Sequence, residues 1–327
     1  MIGIFRQKNP GNTLLLLLYG LVIKFPVLLN PAPALRQSED HYLYNVLMGF
    51  LGPSELSPLF FSLLAVALLF IQAFLLNRLM ILQKLFPKPG FLPAMVYLLI
   101  SSFVPEWNQF SAPLLVNTLL IWIYYRMALL YNTHTPNGEV FNIGLLLGIA
   151  SLFYEPAIVF LLLVPLALFV MRPFRIREWF IAFMGATMPY YFLGVILFLT
   201  DRFTWQAILP AISLDLPDIP ESIFITVAMV LLVLPFIAGG FYVQANLAKM
   251  LIQVRKNWSL MLLFMIISLL IILVSGGNRY VNWICCIIPL SAFHAALYYY
   301  TPGIWPARIL HWLGVAFAIG INYYSFF

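Results

Sequence analysis

The sequence predicts an all-α protein, a polytopic bundle of transmembrane helices, and three observations carry that prediction. Of 327 residues, 63% are hydrophobic and only 9% are charged, with a mean hydropathy of +0.98. Soluble domains carry about 25% charged residues, so this chain lacks the polar surface that a water-exposed fold needs. The apolar residues also arrive in runs of membrane length. Finally, the charges that do occur sort by sign along the chain, with basic and acidic segments alternating between the runs.

A helix crosses about 30 Å of hydrocarbon with about 20 apolar residues, because its backbone polar groups must be satisfied inside the segment. Eleven spans are expected, near 13–31, 58–78, 91–105, 113–130, 141–154, 157–171, 179–200, 222–243, 258–275, 281–299 and 309–325. The third and fifth are short. The first run ends in Asn30-Pro31-Ala32-Pro33 with no small-x-small exit, so it reads as a transmembrane helix and not as a cleaved signal. Phe86 to Gly90 and Thr133 to Gly138 are turn punctuation. Arg172 to Trp179 reads as a basic hairpin, and Asp201 to Glu221, with Pro210, Pro217 and Pro220, as a short amphipathic excursion on the membrane surface. The 23 prolines are expected to kink helices that line a cavity. With no fixed-period repeat and no soluble segment, residues 1–327 form a single integral-membrane domain in this reading.

Orientation follows from Lys and Arg. With the N-terminus in the cytoplasm, 13 of the 17 basic residues fall inside: Arg6, Lys8, Arg78, Lys84, Lys88, Arg126, Arg172, Arg175, Arg177, Lys249, Arg255, Lys256 and Arg308. Arg36, Arg202 and Arg279 fall outside, and Lys24 lies within a span. Glu39, Asp40, Glu55, Glu106, Glu155, Asp201, Asp215, Asp218 and Glu221 fall outside, leaving Glu139 and Glu178 inside. This consistency predicts an odd number of spans and an external C-terminus. It also absorbs the net charge of +6, so the partners expected are the bilayer and its lipids, with no nucleic acid.

The densest ionisable stretch is Arg36-Gln-Ser-Glu-Asp-His-Tyr42, between the first two spans. Glu39 and Asp40 are the candidate catalytic carboxylates, one acting as general base on a hydroxyl acceptor. Asp40 is also a candidate ligand for a divalent cation, the one cofactor considered. Arg36 and His41 are candidate substrate-binding groups; the alternative is a solvated acidic loop. Glu155, in Phe153-Tyr-Glu-Pro156, is a third candidate substrate-binding group, a carboxylate near the outer face that is costly unless paired or wet; the alternative is a helix-end acid in interfacial water. Arg279, in Gly276-Gly-Asn-Arg-Tyr280, is a candidate phosphate ligand, since guanidinium matches phosphate oxygens and a Gly-Gly turn exposes N–H groups; the alternative is a hairpin with a snorkelling arginine. Glu106 reads as a turn residue, Lys24 as snorkelling to the surface, and the Arg172–Arg177 cluster as a topology signal touching anionic lipid. Cys285 and Cys286 read as small apolar fillers, and His134, His294 and His311 show no metal spacing. No nucleotide loop, GxSxG or HExxH is present.

The layout resembles the GT-C class of integral-membrane glycosyltransferases, which take sugars from polyprenyl-phosphate carriers. The resemblance rests on Ser38-Glu-Asp-His-Tyr42 in the first outer loop, Gly52 to Pro58 and the apolar run to Arg78, Gly144 to Pro156, and the Arg172–Arg177 hairpin. It covers roughly residues 1–200. It implies that Glu39 or Asp40 is the acidic base or metal ligand and that the donor is a polyprenyl-phosphate sugar. The chain departs from the class in its short first outer loop, its Glu-Asp order and its lack of a large outer domain. It also resembles an uncharacterised family of bacterial inner-membrane proteins, which implies no activity. Two other functions fit a chain of this kind. One is a scaffold or accessory subunit of a cell-envelope complex, packing on a membrane-protein partner through small residues such as Gly144 and Gly148. The other is a transporter, which would ordinarily show an inverted repeat.

Overall fold

The computed structural model describes residues 2–7, 9–52, 57–210, 222–274, 280–303 and 305–324. Among them the chain forms fourteen α-helices and no strand ladder: α1 Ile2–Phe5, α2 Pro10–Leu29, α3 Tyr42–Leu51, α4 Pro58–Leu82, α5 Leu92–Ile100, α6 Ala112–Leu129, α7 Asn137–Phe153, α8 Leu163–Met171, α9 Ile176–Leu199, α10 Trp205–Ile208, α11 Ile223–Asn246, α12 Ile252–Val274, α13 Ile287–Tyr300 and α14 Trp305–Tyr324. Tight 3₁₀ segments, Glu155–Leu162 and Tyr280–Cys286, lead into α8 and α13.

Proline explains many of the boundaries. Pro10, Pro58, Pro93, Pro105, Pro113 and Pro156 all stand in the first turn of a helix or 3₁₀ segment. There the missing N–H costs nothing and the fixed φ suits the helix. Among the described residues Pro26, Pro189 and Pro235 stand inside long α-helices, so prolines that start helices outnumber those that could kink them. Side-chain caps add to this: Asn9 accepts from the Gly11 N–H at 3.2 Å, and Ser111 from the Leu114 N–H at 3.4 Å.

Seven segments are long and apolar enough to cross a membrane: Gly11–Leu29, Pro58–Leu82, Ala112–Leu129, Ile176–Leu199, Ile223–Lys249, Ile252–Val274 and Tyr280–Tyr300. The chain thus has membrane-helix character. The other four expected spans also fall on helical chain, but differently built. α5 has nine residues, about 13 Å at 1.5 Å per residue, and every one is buried. α7 has 17 residues, α8 is fused to a 3₁₀ segment, and α14, with Arg308 and His311, is less apolar.

α5 and α13 form the centre, packed on each other and on α2, α4, α11 and α12. Ile287 through Tyr298 are all buried. At the periphery, α9 turns Phe180, Phe183, Phe192 and Phe198 outward, and α11 turns Phe241 and Leu234 outward, all of them exposed. Glycine allows the two closest crossings. A Cβ at Gly144 or Gly148 of α7 would run into backbone of Ala182 and Ala186 on α9, and one at Gly185 into Phe141. Gly239 of α11 likewise abuts the Phe293 backbone of α13. The small-residue face of α7 is therefore consumed within the chain and is not free for a partner.

The helices run back and forth between two chemically different ends. One gathers Arg6, Lys84, Lys88 and Lys249 around a cavity. The other gathers residues 35–41, 105–110, 154–155 and 280–281, laced by hydrogen bonds between backbones and between side chain and backbone. Residues 211–221, most of the expected surface excursion, lie outside the described residues.

Candidate functional site

The segment after α2 is extended and stitched down along its length. Ala32 N–H donates to Ser62 Oγ at 3.0 Å, and Leu35 N–H to Phe110 O at 2.8 Å. At its end the chain pairs with the break between α7 and Glu155–Leu162. Asp40 and Tyr154 form an antiparallel bridge, His41 N–H donates to Phe153 O at 3.1 Å, and Glu155 N–H donates to Glu39 O at 3.0 Å. The break itself follows from Pro156, which has no N–H to donate to the Leu152 carbonyl and whose ring would clash with it in a continuous helix; Tyr154 is extended at φ −142°, ψ 110°. Two segments that are far apart in sequence thereby place Glu39, Asp40, His41 and Glu155 together.

All three residues of the Glu39-Asp40-His41 run are buried, with relative exposures of 8%, 7% and 4%. This is not a solvated loop. Their side chains do different things. Asp40 Oδ2 accepts the Gln37 N–H at 2.7 Å and closes a turn, while the Asp40 carbonyl accepts Asn45 Nδ2 at 3.0 Å. Glu39 Oε2 accepts from Ser38 Oγ at 3.0 Å, but its Oε1 is buried with no hydrogen-bond partner among the described residues. His41 Nε2 faces Glu155 Oε1 at 3.9 Å. Burial holds the imidazole below its ordinary value of 6.5, with a Leu152 backbone bond opposing, so His41 is neutral at pH 7 and its tie to Glu155 is a weak one. The Tyr190 ring of α9 sits edge-on to His41 at 6.5 Å, its hydroxyl 2.7 Å from Ser151 Oγ. Arg36 is exposed at the rim. It and Asp40 act electrostatically on Tyr44, whose phenol burial pushes up, Asp40 raising it further and Arg36 opposing; its hydroxyl donates to Leu35 O at 2.8 Å.

Among the described residues no three His, Cys, Asp or Glu side chains are placed to hold a metal ion. Asp40, the expected ligand, has one carboxylate oxygen occupied by a backbone N–H. Arg279 lies outside the described residues, as do Gly276 to Asn278. The chain resumes at Tyr280 beside the Glu106 turn: Glu106 Oε2 accepts the Val281 N–H at 2.9 Å, and Trp107 Nε1 donates to Tyr280 O at 2.8 Å. Glu106 is the turn residue expected.

Lys24 corrects the sequence reading. It does not snorkel but is fully buried, with Nζ donating to Ser101 Oγ at 2.7 Å and Asn108 Oδ1 at 2.6 Å. Asn108 in turn reaches Asn322, which donates to Ser102 O at 2.8 Å. Arg172 is likewise more than a topology signal: it donates to the Leu130 and Thr133 carbonyls and lies 3.6 Å from Glu178. Sequence reasoning missed Tyr154, Ser151 and Tyr190 around His41, since nothing local marks them as neighbours.

A family model described as a family of unknown function (DUF6427) matches residues 41–325. The chain belongs to that family. The DUF6427 match takes in His41 and Glu155 and begins immediately after Glu39 and Asp40. No curated protein and no solved structure matches the chain.

Proposed function

We propose that this DUF6427 protein is a glycosyltransferase of GT-C type that takes a sugar from a polyprenyl-phosphate donor at the outer face of a bacterial inner membrane. In this reading all eleven segments cross, the N-terminus is cytoplasmic, and the end holding Glu39 faces outward. The observation that carries the reading is Glu39 Oε1, a buried carboxylate oxygen without a hydrogen-bond partner among the described residues, held by the Asp40–Tyr154 bridge beside His41 and Glu155. Burying such a group unsatisfied is costly, and an incoming hydroxyl would satisfy it. Glu39 accepts the hydroxyl proton as the acceptor oxygen bonds to the anomeric carbon; the bond from that carbon to the phosphate oxygen breaks, and polyprenyl phosphate leaves. Arg36 at the rim, with Arg279 retained from the sequence, offsets the phosphate charge. Asp40 is a positioning residue, since its carboxylate closes the turn that presents Glu39.

The scaffold alternative loses its named surface, because Gly144 and Gly148 are covered by α9. The deciding assay is transfer from a labelled polyprenyl-phosphate sugar by protein in vesicles. Glu39→Gln is expected to lower turnover at least a hundredfold with KM little changed, and Asp40→Asn to lower it less than tenfold. Wild-type transfer by the Glu39→Gln, Asp40→Asn double variant removes the assignment, and a wild type inert with every polyprenyl-phosphate sugar removes the function.

A further inference from the structure

We propose that the cavity at the opposite, basic end of the bundle binds a phosphate-bearing anion. Four cations from three separate stretches of chain stand around it: Arg6 after α1, Lys84 and Lys88 in the α4–α5 turn, and Lys249 after α11. No carboxylate lines it, and none of the three ammonium groups has a hydrogen-bond or ion-pair partner among the described residues. Like charges gathered without a counter-charge repel one another, and a bound anion relieves that. The cavity is about 460 Å³, within the range of about 300–1,000 Å³ usual for small-molecule sites.

The walls are set before any ligand arrives. Arg6 donates from Nη2 to Tyr299 O at 2.7 Å and lies 5.0 Å from the Tyr299 ring centre. The backbone beside it is pinned by Phe91 N–H to Phe5 O at 2.7 Å, and Gly90 leaves no room there for a Cβ. Lys84 closes α4 in a Schellman arrangement, with Leu85 N–H to Met80 O at 3.0 Å and Lys84 N–H to Ile81 O at 3.1 Å. Its φ is 54°, in the left-handed region where glycine is usual. A lysine held there is an ammonium kept at a conformational cost. One further group on the wall can donate to a phosphate oxygen: the Tyr300 hydroxyl, buried with no hydrogen-bond partner among the described residues. Below the cations the wall is apolar, with Met80, Leu85 and Val254. A basic rim over an apolar wall suits a lipid phosphate and its first methylenes; a soluble phosphate would use the rim alone. This site stands independently of transfer at the acidic end.

The test is equilibrium titration of the purified chain in uncharged detergent with short-chain phosphatidylglycerol, inorganic pyrophosphate and short-chain phosphatidylcholine. Binding of the first or second, weakened by salt, is expected. Lys84→Gln, Lys88→Gln, Lys249→Gln together should weaken it about a hundredfold, or about fivefold per lysine. The matching Lys→Arg triple should retain binding, and Arg175→Gln, Arg177→Gln should leave it unchanged. Tighter binding of the lipid assigns a membrane phosphate, and equal binding of pyrophosphate a soluble one. Should the triple variant fail to fold, Lys88→Gln alone in its exposed turn carries the fivefold test. Binding of neither anion by the wild type, equal binding of phosphatidylcholine, or full retention by the glutamine variants overturns the proposal.

Discussion

The two ends of this bundle use ionisable residues in opposite ways. At the acidic end, Glu39, Asp40 and His41 are buried, bridged to Tyr154 and Glu155, and tied by backbone hydrogen bonds into the α7 break. At the basic end, Lys84, Lys88 and Lys249 are exposed around a cavity, and their ammonium groups bond to nothing among the described residues. The lesson is that the two clusters, one a run along the chain and the other assembled from three stretches, differ in whether hydrogen-bond partners come to their charged groups. Substitutions at the first end should cost stability along with any activity. Substitutions at the second should cost ligand binding and leave stability intact or improved.

The largest expected effect tests the frame that holds the acidic end. Gly148→Leu forces α7 off α9 at the Ala186 backbone and moves Ser151 away from Tyr190. It should destabilise the protein by about 3 kcal/mol or more, read as a lowered thermal midpoint in detergent; an unchanged midpoint would break the account of the α7–α9 crossing. Asp40→Ala removes the acceptor for the Gln37 N–H and should cost about 1–2 kcal/mol, while Asp40→Asn, which keeps an acceptor, should cost less than half of that. Equal losses would mean that charge, not turn closure, is what Asp40 contributes.

Lys84→Gly sharpens the contrast from the other side. It relieves a left-handed non-glycine residue and should raise stability by about 0.5–1 kcal/mol while weakening anion binding about fivefold. A loss of stability would place Lys84 among the structural residues and erase the distinction between the ends. The smallest effect is the pH dependence at His41. Its folded pKa lies below 6.5, so the unfolded chain takes up a proton first, and stability falls as pH drops from above 6.5 toward the folded value. His41→Gln should flatten the unfolding midpoint across that window. An unaltered slope would mean that the imidazole is not held neutral by burial.

Much of the acidic end was legible before the fold. The polar run 36–42 stood out by contrast with the spans on either side, and Glu155 by its place before Pro156. What was not legible was the pairing of the two, because a bridge between residues 40 and 154 depends on how α7, α9 and the post-α2 segment stack, and no local pattern records that. The same limit misjudged Lys24. Snorkelling is the default for a lone lysine near a helix end, but Ser101, Asn108 and the Asn322 network come to it instead. It also hid the use of Gly144 and Gly148, which sequence alone offers equally to a partner or to the chain's own next helix.

Composition and the length of the apolar runs determined by themselves that the chain is helical and has membrane-helix character. These follow from transfer free energy and backbone restriction, both of which are summed residue by residue and need no neighbours. Only the tertiary structure decided that Glu39 and Asp40 are buried against Tyr154 and Glu155, which lysine is buried, which glycine faces are covered, and that three stretches of chain bring their cations to one cavity. Those outcomes depend on long-range packing, where the partner of a group is chosen by the whole arrangement of helices and not by the residues beside it.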